Sequence, residues 1–183
     1  MMPTPTDLRR ILVVGTSGSG KSTLAATVAH ELGSRHIELD ALHHGPHWSV
    51  RPTFQDDVEH AISDERWTCC GNYAQVQPQI LARATLVVWL DYPRAVSTWR
   101  VVSRTVRRRV TRQELWNGNR ESLRNAFFAP DGVVRWSWTS SPHNRERYGR
   151  LFAEPRPFVT LRLTHPRDTD RWLRTLQGAH RPG

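Results

Sequence analysis

Gly15-Thr16-Ser17-Gly18-Ser19-Gly20-Lys21-Ser22 sets three glycines, four small hydroxyl side chains and one lysine in a row. Glycines let a backbone curl until successive N–H groups point into one hollow, which then binds an anion. A helix opening near Lys21 adds the positive end of its dipole to the same hollow. The chemistry this suits is the holding of a polyphosphate. Lys21 reaches the β- and γ-phosphates, the Ser22 hydroxyl ligates Mg²⁺, and Thr23 falls near the α-phosphate. Lys21 is also the only lysine in a chain with 26 basic residues. One position has stayed lysine, and it is the one where a compact ammonium fits and a broad, planar guanidinium does not.

The loop is a complete Walker A motif and needs a strand before it and a helix after it. Both are legible. Arg10 to Val14 reads as a short buried strand, and Lys21 to Leu32 as a helix that stops at Gly33. Downstream, His36 to Leu39 reads as a second strand ending at Asp40, Trp67 to Cys70 as a third, Thr85 to Leu90 as a fourth and Phe158 to Leu163 as a fifth. Between them, Thr53-Phe54-Gln55-Asp56 looks like a capping box, with Phe54, Val58, Ala61 and Ile62 along one helix face. Pro93 opens a long helix to about Arg109, and Thr169 to Leu176 closes the chain. Strands alternating with helices imply an α/β fold, a mainly parallel sheet of five strands covered on both faces. Ligands of such folds lie beyond the C-terminal strand ends, where Asp40, Gly71, Asn72 and Asp91 fall.

Phosphoryl transfer asks for a carboxylate to orient Mg²⁺ and one to orient or deprotonate the acceptor. Asp40 is the expected acceptor-side group, its bland alternative being a turn residue. Asp91 ends an apolar strand like a second phosphate-site carboxylate, but capping the helix opened by Pro93 is the favoured reading. His43, His44 and His47 lack a partnering cysteine or carboxylate cluster and read as a solvated loop. From Arg94 to Arg124 nine arginines face two acidic residues. Arg100, Arg104 and Arg107 or Arg108 share a helix face, with Val96, Trp99, Val102 and Val106 expected on the apolar side. Arg104 and Arg108 are the arginines expected to stabilise the transferring group. The region of about 107–125, with its tip in Val110 to Arg120, is the expected lid. Trp116, Trp136 and Trp138 are more readily packing residues than stacking platforms.

The bulk properties suit one domain over 1–183, with 38% hydrophobic residues and a net charge of +9. That charge fits phosphate pockets or a nucleic-acid surface. No apolar run approaches the roughly 20 residues of a membrane span, and Met1 to Asp7 lacks the pattern of a signal peptide. The two cysteines, Cys69 and Cys70, are adjacent and fit neither a disulfide framework nor a metal site. A cytoplasmic protein is expected.

With these residues in place the chain resembles the FlaR-like topology modulation proteins, P-loop NTPases related to adenylate kinase. The resemblance spans roughly Arg10 to Leu173. It rests on the loop, on Leu39-Asp40 followed by Pro46-His47-Trp48, and on Trp67 with Gly71-Asn72-Tyr73. Leu90-Asp91-Tyr92-Pro93-Arg94, Trp99-Arg100 and Trp136-Ser137-Trp138 complete it. It implies a three-layer, nucleoside-monophosphate-kinase-like fold with an arginine-rich lid, ATP with Mg²⁺, and an acceptor pocket near Asp40, Trp48, Gly71 and Asn72. Family members generally carry an aspartate directly before Gly-Asn-Tyr, which in related kinases holds Mg²⁺ through water. Here that position is Cys70, and Asp40 or Asp91 is the expected substitute, so that the metal set is Ser22 with Asp40.

Three functions compete. The first is an ATP-dependent kinase acting on a small hydroxyl or phosphate acceptor. The second is a nucleotide-dependent regulator contacting nucleic acid through its arginines, and the third an ATP-binding protein with little turnover. The acceptor and the oligomeric state stay open at this level.

Overall fold

The structure, a computed structural model, describes residues 8–110 and 133–179. Five strands form one sheet: β1 (Arg10–Gly15), β2 (Arg35–Glu38), β3 (Trp67–Cys70), β4 (Leu86–Leu90) and β5 (Val159–Leu163). Their order is β2-β3-β1-β4-β5, and every pairing is parallel. β1, β3 and β4 are nearly continuous apolar runs because both of their faces are covered.

Helices cover both faces. On one, α1 (Lys21–Leu32) and α7 (Pro166–Ala179) place Leu24, Val28, Trp172 and Leu176 against Ile11, Val13, Cys70 and Val88. On the other, α3 (Phe54–Ala61), α4 (Gln77–Arg83) and α6 (Val133–Ala153) place Phe54, Val58, Ile80 and Tyr148 against Leu12, Val14, Cys69 and Val87. Alternate residues of a strand therefore serve opposite cores. Helix α5 (Arg94–Val110) follows β4, and the short α2 (Leu39–His43) follows β2. The α/β fold with a five-stranded parallel sheet is as expected.

Several details differ from the sequence reading. β2 ends at Glu38, so Leu39 and Asp40 begin a helix rather than finish a strand. Thr53 does not cap α3. Its hydroxyl donates to Asp57 Oδ2 at 2.9 Å, leaving no capping box. On α5 the buried positions are Ser97, Val101 and Thr105, while Trp99 is 70% and Val106 46% exposed. The reason lies in the glycine loop. A Cβ on Gly18 would come within 2.2 Å of the Ser97 carbonyl oxygen and 2.5 Å of Val101 Cγ2. So close an approach accepts small residues on α5 and excludes a tryptophan stripe.

Candidate nucleotide site

The connections leaving β1 and β3 run to opposite sides of the sheet, which opens a crevice at their C-terminal ends. The loop after β1 fills that crevice. Gly15, Gly18 and Gly20 have φ of +148°, +79° and +96°, conformations that side chains with a Cβ rarely adopt. A Cβ on Gly15 would also meet the Leu90 carbonyl oxygen at 2.7 Å. The loop's own Ser19 N–H bonds the Thr16 carbonyl at 3.1 Å.

Helix α1 starts at Lys21 with no side-chain cap and no acidic residue in its first turn. Such an end leaves its first N–H groups and its dipole to an anion. The Ser19 hydroxyl, buried and without a hydrogen-bond partner in the structure, lies in the same loop. An orphaned donor, an uncapped helix start and three positive-φ glycines fit a phosphate chain.

Lys21 Nζ donates to the Thr16 carbonyl at 3.0 Å, tucked beneath the loop. Burial lowers its pKa, the Asp40 and Cys70 sites act to raise it, and Arg104 lowers it. The ammonium thus feels both a carboxylate and a guanidinium charge. Arg100 and Arg104 extend from α5 into a cavity of about 330 Å³ bounded by Gly18, Ser19, Thr23 and Pro166. Arg100 Nη1 donates to the Ser19 carbonyl at 3.2 Å, and the guanidinium carbon lies 5.5 Å from the Tyr92 ring centre. The expected arginine face is therefore present at the loop for Arg100 and Arg104. The side chain of Arg108 and the lid beyond Val110, with Trp116, lie outside the described residues, as does the side chain of Trp136. Trp138 is half exposed, with the Arg94 guanidinium 4.2 Å from its ring centre.

On the other side of Lys21, Asp40 Oδ1 accepts the Tyr73 hydroxyl at 2.7 Å. Burial and the Asp40 charge raise the Tyr73 pKa, so it stays a donor. His44 Nε2 is 3.3 Å from the same hydroxyl, and His43 stacks on Tyr73 and meets Phe54 edge-on. Burial lowers the His43 pKa. His43 and His44, expected in a solvated loop, are thus partly packed against Phe54 and Tyr73, while His47 is exposed. Trp48 meets His44 edge to face, and both His47 and Trp48 hold positive φ, a strained pair just after α2.

Gly71 and Asn72 serve the frame of the site. A Cβ on Gly71 would strike Leu39 Cβ at 2.7 Å. Asn72 Nδ2 donates to the Gly15 carbonyl at 2.6 Å, and its Oδ1 accepts the Tyr148 hydroxyl at 2.9 Å. Asn72 therefore pins the glycine loop to α6. Asp91 neither caps α5 nor faces the loop. It is buried, with Oδ1 bound by Arg145 Nε at 2.8 Å and Oδ2 by Arg162 Nε at 3.0 Å. No local pattern in the sequence announces that pairing, because both arginines are more than fifty residues away.

Cys70 closes the back of the site. Its thiol donates toward Ser22 Oγ at 3.7 Å and lies 3.8 Å from His36 Nε2. Burial pushes its pKa up to about 12. It is a neutral thiol where a carboxylate was expected. Opposite it in the parallel register stands Glu38, which sequence reading passed over. The signal for it was present in β2 itself, where a charged residue ends a strand beside the loop strand's neighbour.

Among the described residues no group of three or more histidine, cysteine, aspartate or glutamate side chains could hold a metal alone. The donor set fits instead a hard cation that takes one hydroxyl, Ser22, and otherwise oxygen from phosphate and water. Among the described residues no helix is long and apolar enough to cross a membrane.

No family model and no curated protein matches the chain. Solved structures do. The shikimate kinase of Bacteroides thetaiotaomicron is 12% identical, with 93% of this chain and 97% of that one covered and a TM-score of 0.54. The shikimate kinase of Acinetobacter baumannii, in complex with shikimate, is 18% identical, with 95% and 94% covered and a TM-score of 0.54. At these identities the likeness is one of fold, and the fold is that of the P-loop kinases.

Proposed function

We propose that the chain is an ATP-dependent small-molecule kinase that moves the γ-phosphoryl group of ATP to a hydroxyl or phosphate acceptor. The observation that carries the reading is Lys21, the chain's one lysine, whose Nζ is tucked onto the Thr16 carbonyl beneath an uncapped glycine loop. The loop N–H groups and Lys21 hold the phosphates, and Arg100 and Arg104 flank them from α5. Mg²⁺, ligated by Ser22, would neutralise charge on the phosphate oxygens when bound. With a hydroxyl acceptor, Asp40 takes the proton as the acceptor oxygen bonds to the γ-phosphorus. The bond from phosphorus to the bridging oxygen breaks, and its electron pair leaves on ADP. Tyr73 holds Asp40 in place for this. In this proposal residues 1–183 are one cytoplasmic kinase domain with its lid at about 107–125. The resemblance to the topology modulation proteins belongs to the same proposal.

ADP release across a panel of nucleotides, sugars and antibiotics tests it, with Lys21→Ala as the blank. One acceptor should give stoichiometric phosphorylated product, and Lys21→Ala should lose about 10²–10³-fold in rate. Asp40→Asn should fall by about 10²–10⁴-fold with a hydroxyl acceptor, as expected for loss of a general base. Full turnover by Asp40→Asn would remove that assignment. The neutral thiol of Cys70 favours a second reading, ATP binding with little turnover. Calorimetry showing tight ATP binding with no ADP formed would select it.

A further inference from the structure

We propose that Tyr148 is a positioning residue of the phosphate site: through Asn72 it holds the Gly15 carbonyl away from the phosphates and ties the glycine loop to α6. The inference rests on the kinase reading and concerns the same site.

The direction of the link follows from its far end. The Gly15 carbonyl oxygen can only accept, so the Asn72 atom 2.6 Å from it is the amide nitrogen. Asn72 Oδ1 then faces the other way, toward the Tyr148 hydroxyl at 2.9 Å, and that hydroxyl must donate. Tyr148 is fully buried, and burial pushes its pKa up to about 12 against Arg147 and Gln77, so the proton stays on it. Each group thus fixes the orientation of the next.

On the loop the consequence is a carbonyl held off. A carbonyl presents its negative end, and one turned into a hollow of N–H groups would repel the anion it binds. Gly15, at φ of +148°, has no side chain to restrict that turn. Asn72 supplies the restriction. The next carbonyl, that of Thr16, is already occupied by Lys21 Nζ at 3.0 Å and the Ser19 N–H at 3.1 Å.

Helix α6 is placed to act on both sides of the loop. The strand order puts β1 between β3 and β4. Asn72 lies two residues past β3, and Asp91 directly past β4. Arg145 and Tyr148, three positions apart and so on one helix face, bind Asp91 and Asn72 respectively. Phe152 continues that face onto Trp89, with ring centres 5.3 Å apart. One face of α6, polar at the strand ends and apolar below, therefore braces the two strands that flank the phosphate loop.

The test is calorimetry of ATP with Mg²⁺ on wild type, Tyr148→Phe, Asn72→Ala and the double variant, with a urea midpoint for each. Phenylalanine keeps the packed ring and removes only the hydroxyl. Tyr148→Phe should weaken ATP binding by about 2–10-fold, the scale of one hydrogen bond. Asn72→Ala should weaken it at least as much. The double variant should bind no more weakly than Asn72→Ala, because the hydroxyl acts only through that amide. A lower urea midpoint in Tyr148→Phe with unchanged ATP affinity would mean a structural bond alone, and overturns the inference while the kinase reading stands. Additive losses in the double variant also overturn it, since Tyr148 would then act by a route other than Asn72. Should Tyr148→Phe fail to fold, Asn72→Ala decides: weakened ATP binding supports the link and undiminished binding overturns it. Absence of ATP binding by wild type overturns both readings.

Discussion

Cys70, His36 and His43 titrate away from their usual ranges in ways a solution experiment can read. Burial holds Cys70 as a thiol up to about 12, aided by the Glu38 and Asp40 charges and opposed by Ser22 and Lys21. Thiolate is the reactive form. At about pH 8 the folded protein should therefore resist iodoacetamide at both Cys69 and Cys70, and mass spectrometry should find both modified once it is unfolded. Fast modification of residue 70 in the folded chain would contradict the packing described. His36 and His43 are both pushed below 6.5, chiefly by burial. The unfolded chain then binds more protons than the folded one just below pH 6.5. Their contribution to stability is complete above 6.5 and fades as pH falls beneath it. Urea midpoints measured downward from pH 6.5 should decline, and His36→Gln with His43→Gln should flatten the decline.

At the scale of elements, the contact between the glycine loop and α5 is the most constrained packing in the site. Gly18 combines φ of +79° with a Cβ position only 2.2 Å from backbone oxygen, whereas Gly33 ends α1 at φ of +57° with open space around it. Gly33→Ala should cost about 1–2 kcal/mol for the left-handed backbone alone. Gly18→Ala adds overpacking of about 1–3 kcal/mol and should push α5, with Arg100 and Arg104, away from the phosphates. Its midpoint in urea should fall further than that of Gly33→Ala, and it alone should lose ATP affinity. Equal losses would mean that the helix tolerates displacement. This contact also marks the limit of what the sequence discloses. The strands, α1 with its Gly33 stop and the loop itself are written in local pattern, because each depends on neighbours a few residues apart. The buried face of α5 is set by a glycine some eighty residues earlier, so hydrophobic spacing pointed to Trp99 instead. The β2 end, the Asp91 arginines and the Tyr148–Asn72–Gly15 link are likewise long-range.

For the whole molecule the question is what its charge of +9 does. A diffuse field of arginines attracts any polyanion, and that attraction weakens steeply with salt because it rests on released counterions. A built cradle behaves differently. Much of the affinity then comes from oriented N–H groups and one partly buried ammonium, which salt screens less. Thermal unfolding separates the two. A ligand present at about 100 times its Kd stabilises by about 2.7 kcal/mol, and in a chain of this size each kcal/mol moves Tm by about 2–4 °C. ATP with Mg²⁺ should therefore raise Tm by about 5–10 °C. Most of that shift should survive an increase from about 0.05 to about 0.3 M salt, and Lys21→Ala should abolish it. A short oligonucleotide should give a shift that disappears over the same salt range and is indifferent to Lys21→Ala. If ATP gave no shift at all while the oligonucleotide gave a large one that fell steeply with salt, the arginine surface would be the binding site and the regulatory function would replace the kinase. The proposed cradle predicts the first outcome, because its one lysine, its uncapped helix start and its buried, unpartnered Ser19 hydroxyl suit a bound phosphate chain rather than a diffuse surface contact.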